Sequence, residues 1–333
     1  MELVPTPDNP IPDGAEVLEV KTRDGLSLRA ARWVPDGDVH GTVLLLQGRA
    51  EFIEKYFETV GDLLARGLAV VAFDWRGQGG SDREVADPRK GHVRRFSDYG
   101  LDLEAVFEQV MTPMAARPWF VLAHSMGAAL ALDLARSDAL PVARLVALAP
   151  MIRLSMIRAE RWPPALAQML WALGFGKQYI PGGGATSIAT KPFAGNRLTS
   201  DPVRYGRNAG AAAAVGPGAV GDPTVGWLHA AFRFMRRFND PRAPLEIRLP
   251  TLVIAAGIDP VCSTPAIERF AARLKAGHAI VLRGARHEIL MESDPIREQF
   301  WAAFDAFIPG TPDRSFASEE TIHATSPAEP AAG

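Results

Sequence analysis

A serine flanked by small residues is the first feature of this sequence that could do covalent chemistry. Ser125 lies in A-H-S-M-G (123–127), after an apolar run at 119–123 and before an Ala- and Leu-rich run at 128–136. Small residues two positions before and after a serine let a strand turn sharply into a helix, which projects Oγ out of the backbone. This context predicts a nucleophile elbow with Ser125 as the nucleophile.

An acid and a histidine later in the chain could activate that serine. A serine hydroxyl becomes nucleophilic when a base accepts its proton, and a carboxylate orients the base and stabilises its cation. Asp259 follows an apolar run at 251–256, and His287 follows another at 278–282. One helix and one strand fit between them, in the chain order serine, acid, histidine. We therefore predict a catalytic triad of Ser125, Asp259 and His287.

Other roles are open to some of these polar residues. Asp259 could instead cap the predicted helix 264–275, although Ser263 is better placed for that role. Glu268 is an alternative acid, but it lies inside the same predicted helix. The side chain of His124 would point away from the serine Oγ, which indicates a structural role. Three further histidines have no positional support as bases: His92, His229 and His278.

Two backbone N–H groups are candidates for binding the oxyanion of a tetrahedral intermediate. One belongs to Met126, at the N-terminus of the helix after the serine, where free N–H groups and the helix dipole favour negative charge. The other belongs to Arg49, because Gly48 lets the loop after the apolar run 42–46 turn tightly enough to aim that N–H at the same point. We predict an oxyanion hole formed by Arg49 and Met126.

Neither a metal site nor a phosphate-binding loop is predicted. The segment D-W-R-G-Q-G-G-S (74–81) is rich in glycine but lacks the spacing of a Walker or dinucleotide motif, so we expect it to brace the site. No pair of histidines or carboxylates has metal-ligand spacing. We expect no metal and no cofactor.

Short apolar runs alternate with helix-length segments along most of the chain. The strands and helices that they form must position the predicted triad and the oxyanion donors. Extended runs at 16–22 and 26–34 meet at an Asp-Gly turn, which predicts an antiparallel hairpin. Runs that are apolar on both faces and alternate with helices predict a parallel sheet covered on both sides. We expect an α/β fold with a mostly parallel eight-stranded sheet. Its other predicted strands are 42–46, 68–73, 119–123, 144–149, 251–256 and 278–282.

The alternation stops between residues 151 and 244. Helical patches without a strand over so long a stretch predict an inserted helical cap rather than a simple connection. The core is then 1–150 and 245–309. Within the cap, the amphipathic stretch 227–238 could pack on the core, line an acyl pocket or contact a membrane surface. The Pro-, Ser-, Glu- and Ala-rich segment 310–333 predicts a disordered tail.

Composition excludes several classes of protein. The 333 residues are 47% hydrophobic and carry 36 Lys+Arg against 38 Asp+Glu, a net charge of −2. A disordered chain and a basic nucleic-acid-binding domain do not fit these values, and the single Cys262 excludes an internal disulfide. Neither a signal peptide nor an apolar run long enough to span a bilayer is visible. We expect a soluble cytoplasmic protein that can contact the inner membrane peripherally; its oligomeric state is not predicted.

Four motifs, in order, resemble those of serine hydrolases with the α/β-hydrolase fold, specifically the monoacylglycerol lipase and lysophospholipase L2 group. Q-G-R-A-E (47–51) resembles the H-G-x-x-E loop of that group, and 74–81 resembles its D-x-R-G-x-G-x-S segment. The elbow at 123–127 resembles G-H-S-M-G, and 284–288 resembles G-x-x-H-E. The resemblance extends over 16–308, and an ordered set of motifs is far more specific than any one of them.

Two positions depart from the motifs of that group. Ala123 replaces the first elbow glycine and is still small. Gln47 replaces the loop histidine, which transfers no proton in this scheme, so the change affects hydrogen bonding in the loop rather than catalysis. The cap carries no motif of the group.

The resemblance implies an enzyme that cleaves carboxylic esters through an acyl-enzyme, with no nucleic-acid partner. It assigns Ser125 as nucleophile, Asp259 as orienting acid and His287 as base, with the N–H groups of Arg49 and Met126 as the oxyanion hole. The implied substrate is a single-chain lipid ester, such as a lysophospholipid or a monoacylglycerol. A peptidase or thioesterase that uses the same triad, and a ligand-binding relative without turnover, are the alternatives.

Overall fold

The computed structural model describes residues 1–155 and 162–310, and its centre is an eight-stranded sheet. The strand order is β1-β2-β4-β3-β5-β6-β7-β8. β2 pairs antiparallel with both β1 and β4, and the remaining pairs are parallel, which confirms the predicted mostly parallel sheet. The strands are β1 (Glu16–Lys21), β2 (Ser27–Trp33), β3 (Gly41–Leu46), β4 (Leu68–Phe73), β5 (Trp119–His124), β6 (Arg144–Leu148), β7 (Thr251–Ala256) and β8 (Gly277–Leu282).

Helices cover both faces of this sheet, because its central strands are apolar on both sides. In β3, Leu44 and Leu46 pack into one hydrophobic cluster, while Val43 and Leu45 pack into the other, as the period-2 alternation of a strand requires. The helices are α1 (Phe57–Leu64), α2 (Asp98–Val106), α3 (Thr112–Met114), α4 (Ser125–Ala135), α5 (Trp162–Ala172), α6 (Pro202–Val215), α7 (Val225–Met235), α8 (Ala243–Glu246), α9 (Thr264–Ala271) and α10 (Asp294–Phe307). α1 and α10 contribute to the second cluster, and α2, α4, α7 and α9 to the first.

The carboxyl ends of the parallel strands meet at one edge of the sheet. Leu46 at the end of β3 pairs with Ala123 near the end of β5, and Ala256 of β7 pairs with Leu282 of β8. The loops that follow these four strands carry the predicted site residues, so the register alone brings them together. α9 ends at Ala271, earlier than the predicted helix 264–275, because the chain must turn back before β8 begins.

Between β6 and β7, the described residues contribute α5 to α8 and add no strand to the sheet. The predicted amphipathic stretch 227–238 forms most of α7 and the 3-10 turn Arg236–Asn239. Trp227, Phe232 and Phe234 are buried, and the Phe234 ring stacks on Phe96 with 4.8 Å between centroids, so this face packs on the core. In the described part of the chain, no helix is long and apolar enough to cross a membrane. Of the predicted tail, residues 311–333 lie outside the described residues.

Candidate active site

Ser125 occupies the sharp turn between β5 and α4. Its φ of 49° lies in the left-handed region, which non-glycine residues rarely adopt outside constrained turns. The turn brings α4 against the end of β3. A Cβ on Gly127 would lie 2.6 Å from the Gln47 carbonyl oxygen and 2.7 Å from that of Leu46, so only glycine allows this approach. The predicted elbow geometry is therefore present.

The three predicted triad side chains form one chain of hydrogen bonds. His287 Nε2 lies 3.0 Å from Ser125 Oγ, and His287 Nδ1 lies 2.8 Å from Asp259 Oδ2. All three residues are buried. With Nδ1 donating to the carboxylate, Nε2 is left as the acceptor for the serine hydroxyl proton, which is the tautomer that a general base needs.

Backbone bonds between the loops after β7 and β8 hold the acid and the base in register. Gly257 N–H donates to Leu282 O at 2.9 Å, and Ile258 N–H donates to Ala285 O at 3.0 Å. The carboxylate of Asp259 also accepts the N–H groups of Val261 and Cys262, at 2.7 and 2.9 Å. It does not cap α9, whose N-cap residue is Ser263.

The Asp259 carboxylate is stabilised in its ionised form. Burial raises the pKa of Asp259, but the charge of His287 and the hydrogen bonds from His287, Cys262 and Val261 outweigh burial and hold the pKa below its ordinary value. A carboxylate that stays ionised can stabilise an imidazolium on His287 as the serine proton is transferred.

The two predicted oxyanion donors belong to the residue after this serine, Met126, and to the loop after β3. Met126 is in the first turn of α4, where N–H groups have no acceptor within the helix. The pairing of Leu46 with Ala123 carries the loop after β3 alongside Ser125 and Met126. The Arg49 N–H donates no hydrogen bond to any part of the chain that the structure describes. Both donors are thus available to a ligand atom.

A buried carboxylate, Glu51, ties the oxyanion loop, residues 47–51 after β3, to the elbow. Burial alone would raise the pKa of Glu51, but the charges of His124 and Lys55 hold it well below its ordinary value. The structure therefore places an ionised carboxylate directly beneath the loop. Its donors are Gly48 N–H, Lys55 Nζ (2.7 Å), Tyr56 Oη (2.5 Å) and His124 Nδ1 (3.0 Å).

His124 extends this network to the loop that carries the base. Its Nε2 lies 3.1 Å from the backbone carbonyl oxygen of His287. Burial would lower the pKa of His124, but Glu51 outweighs it and raises the pKa, so both ring nitrogens donate. Lys55 Nζ also pairs with Glu288 at 2.6 Å. The cations His124 and Lys55 thus compensate the charges of two carboxylates, Glu51 and Glu288, in the interior. These pairs join the loop after β3, the elbow and the loop after β8.

The sequence could not indicate the whole of this network. Glu51 and Glu288 occur in recognisable motifs, and His124 was predicted to be structural, which its contacts agree with. No sequence pattern indicates a role for Lys55, because it lies in a 3-10 turn and its ion pair with Glu288 joins distant parts of the chain.

The loop 74–81 braces the oxyanion loop through one amide side chain. Gln78 Nε2 donates to the carbonyl oxygens of Gly48 and Glu51, both at 2.8 Å, and its Oε1 accepts Ala50 N–H at 3.1 Å. Trp75 Nε1 donates to the backbone carbonyl oxygen of Gln47 at 2.9 Å. Within the described residues, the buried side-chain amide of Gln47 has no hydrogen-bond partner, so the residue that replaces the group's histidine adds no side-chain hydrogen bond to this loop.

One set of side chains has the composition of a metal site. The ligand atoms of Asp259, Cys262 and His287 lie within 4.8 Å of one another. The carboxylate and imidazole are already bound to each other, and burial, together with the charge of Asp259, holds the pKa of the Cys262 thiol well above its ordinary value. A neutral thiol is a weak metal ligand, so these residues suit proton transfer better than metal binding.

The comparison with protein families agrees with this geometry. A family model described as serine aminopeptidase, S33, matches residues 37–294. The chain belongs to this serine aminopeptidase S33 family. The family resemblance and the prediction of a carboxylic ester hydrolase with the α/β-hydrolase fold are confirmed.

Curated relatives and solved structures match over most of the chain. Lysophospholipase L2 of Escherichia coli K12 is 36% identical over 273 residues, which cover 77% of this chain and 76% of the relative. A probable lysophospholipase L2 of Haemophilus influenzae is 27% identical over 277 residues, 82% of this chain and 85% of the relative. A soluble variant of monoglyceride lipase from Saccharomyces cerevisiae, solved with a substrate analogue, has a TM-score of 0.70 at 18% identity, covering 88% of this chain and 95% of its own; it supports the fold.

Proposed function

We propose that this protein hydrolyses the carboxylic ester of single-chain lipids through an acyl-enzyme on Ser125. The observation that carries the proposal is the hydrogen-bond chain from Ser125 Oγ through His287 to Asp259, with steps of 3.0 and 2.8 Å. His287 Nε2 takes the Oγ proton as Oγ attacks the ester carbonyl carbon, and returns it to the alcohol that leaves. Water then attacks the acyl-enzyme by the same route, which releases a fatty acid and restores Ser125.

The oxyanion of each tetrahedral intermediate would be bound by the N–H groups of Arg49 and Met126. The Arg49 N–H is without an acceptor within the described residues, and the Met126 N–H is at the positive end of the α4 dipole. Donors that are already oriented stabilise the charge that develops in the transition state without having to reorganise.

The relatives and one cavity support a lipid substrate. The curated relatives carry the names lysophospholipase L2 and monoacylglycerol lipase. A cavity of about 560 Å³, within the size range of ligand pockets, is lined in part by Ile152, whose neighbour Met151 donates its backbone N–H to Ser125 O at 3.0 Å. Its lining mixes apolar with polar side chains, which suits an amphipathic molecule. The lining includes Leu154, Pro164, Phe232, Met235, Gln168 and Asn239.

Acyl-chain length provides the test of this proposal. Each methylene that leaves water contributes about 0.8 kcal/mol, so kcat/KM for p-nitrophenyl esters is expected to rise at least roughly tenfold from butyrate to laurate. Lysophospholipid and monoacylglycerol with the same acyl chain should be turned over in the same assay, and acyl-CoA and aminoacyl amides serve as comparison substrates. Poor turnover of long chains, or amide turnover above ester turnover, would contradict the lipid esterase.

We further propose that residues 151–244 act as a cap and that this cap contacts an anionic bilayer surface, such as the cytoplasmic face of the inner membrane. Five large apolar side chains occur in a stretch of ten residues that covers part of α5 and the turn after it. Each of them is at least 44% exposed. One of them, Trp171, lines a groove together with His229 and four arginines. Apolar side chains with a basic rim match acyl chains below anionic head groups. The apolar set is Leu166, Met169, Trp171, Leu173 and Phe175, and the basic set is Arg94, Arg95, Arg233 and Arg237.

Vesicle binding tests this surface. The double variant Met169→Ser with Trp171→Ser is expected to reduce partitioning onto phosphatidylglycerol-containing vesicles by about tenfold, since two half-exposed apolar side chains no longer enter the bilayer. Co-sedimentation measures the effect. Val203→Ser, at a position that is 76% exposed on α6, is the matched control and should bind as wild type does. Equal binding by the double variant, or equal binding to neutral phosphatidylcholine vesicles, would refute this surface.

A further inference from the structure

The guanidinium of Arg49 lies beside the site but has no part in the proposed ester hydrolysis, which uses only the backbone N–H of this residue. Nη1 of Arg49 donates to the carbonyl oxygen of Gly221 at 3.0 Å. Cζ lies 5.6 Å from the centroid of the Trp227 ring. Within the described residues, the other guanidinium N–H groups of Arg49 make no hydrogen bond.

No carboxylate of the described residues forms an ion pair with this guanidinium, although two acids are near. Glu51 is bound by the donors of the buried network under the oxyanion loop. Asp222 accepts the N–H of Gly184 at 3.1 Å. Burial lowers the pKa of Arg49, with Asp222 the strongest opposing influence. An unpaired cation that is largely withdrawn from water is costly, and a bound anion would offset that cost.

The surroundings of Arg49 form a slot of defined shape. Gly91 lies close to the guanidinium, since a Cβ there would be 3.0 Å from Arg49 Nη1, and the indole of Trp227 lies near Cζ. That indole is fixed, because its Nε1 donates to Tyr99 Oη at 3.1 Å and its backbone N–H is capped by Thr224 at 3.1 Å. The slot therefore holds the guanidinium plane without neutralising its charge.

The distance between this guanidinium and the reacting ester is limited by covalent geometry, because the guanidinium and the proposed oxyanion donor belong to the same residue. The N–H of Arg49 is the proposed oxyanion donor, and the side chain of the same residue extends to the slot, so Arg49 connects the two places. In a lysophospholipid, the glycerol unit separates the acyl ester from the phosphodiester. In a monoacylglycerol, the same glycerol unit ends in a neutral hydroxyl.

We propose that the Arg49 guanidinium binds the phosphodiester of a lysophospholipid while the N–H of the same residue binds the ester oxyanion. This inference rests on the proposed esterase function and deepens it, because it makes an anionic glycerophospholipid, rather than neutral monoacylglycerol, the preferred substrate class. The planar fork of arginine binds phosphate oxygens in pairs, which a lysine ammonium does not reproduce.

Substrate preference in Arg49 variants tests the proposal. Lysophosphatidylethanolamine and monoacylglycerol with the same acyl chain are compared as monomers, below the concentration at which they aggregate, so that membrane binding does not contribute. The backbone N–H is retained in Arg49→Met and Arg49→Lys. We expect the ratio of kcat/KM for lysophospholipid to that for monoacylglycerol to fall at least about tenfold in Arg49→Met and less in Arg49→Lys. The lower kcat/KM for lysophospholipid should come from a higher KM with kcat unchanged, because the contact between the guanidinium and the phosphodiester is present before and during the reaction.

A matched control and a second measurement separate the possible results. Arg248→Met removes an exposed arginine near the opposite end of β7 and should leave the ratio as in wild type. In the wild-type enzyme, sn-glycerol 3-phosphate should inhibit p-nitrophenyl acetate hydrolysis competitively, and glycerol should not. A ratio unchanged in Arg49→Met, equal losses on both substrates, or equal inhibition by glycerol would overturn the role of Arg49 while the esterase function stands. If wild type hydrolyses neither lipid, the proposed function itself fails, and this inference fails with it.

Discussion

Replacing Ser125 by alanine is expected to lower kcat for ester hydrolysis on the order of 10⁶-fold, because within the described residues no other hydroxyl contacts the base His287. The proposed base, His287, accepts the proton of this one hydroxyl at 3.0 Å. Alanine keeps the small size that the turn requires, and the left-handed φ of 49° is equally strained for both residues. The effect should therefore be catalytic, with the folded structure retained.

Two measurements check this expectation. Initial rates with a p-nitrophenyl ester give the loss in kcat, and labelling with a fluorophosphonate followed by peptide mass spectrometry locates the adduct. The adduct is expected on Ser125 in wild type and nowhere in Ser125→Ala. Ser137→Ala, on the exposed turn after α4, is the control and should retain wild-type activity. Substantial residual turnover in Ser125→Ala, or an adduct on a different residue, would refute the proposed nucleophile.

The variant Asp259→Asn is expected to lower kcat on the order of 10⁴-fold, the second largest effect. An asparagine amide has almost the same shape as the carboxylate but carries no charge. Its NH₂ group takes the place of Asp259 Oδ2, which lies 2.8 Å from His287 Nδ1 in the wild-type protein. The ring would then be held with its proton on Nε2, where it cannot accept from Ser125. Loss of the charge also removes the stabilisation of the imidazolium.

The comparison of two variants isolates the role of the acid. In Asp259→Asn, fluorophosphonate should still label Ser125, but with a much smaller rate constant, since the nucleophile is present and its activation is impaired. Asp13→Asn, at an exposed position near the N-terminus, should match wild type in both assays. A wild-type labelling rate in Asp259→Asn would exclude Asp259 as the orienting acid, and Glu268 would then be the next candidate to substitute.

Much of the candidate site could be predicted from the sequence because its chemistry depends on local features. The elbow around Ser125 requires only a strand, two small neighbours and a helix, and all of these are adjacent in the chain. Asp259 and His287 each follow an apolar strand directly, and parallel strands place such residues at one edge of the sheet. The strand predictions for β4 and β7 match the structure to the residue for the same reason.

Other features depend on contacts between distant segments, and no local pattern encodes them. His124 reaches the His287 carbonyl across 163 residues, and Arg49 reaches the Gly221 carbonyl across 172. The sequence could suggest the stretch 227–238 as a membrane contact. The structure buries Trp227, Phe232 and Phe234 of that stretch and exposes Met169 and Trp171 of α5, because only the packed fold decides which face of a helix meets the core.

The amino-acid sequence alone was therefore sufficient to derive the sheet, the nucleophile elbow and the order of the triad residues. Each of these follows from backbone propensity, period-2 alternation or the size of neighbouring residues, which are properties of short segments. The tertiary structure decided which charges are compensated and which are left without a partner. Glu51 finds its cations through packing, whereas Arg49 finds an aromatic face and a carbonyl oxygen but no carboxylate. Charge compensation depends on distances across the whole fold, so the properties that bear on substrate choice emerged only once the chain was folded.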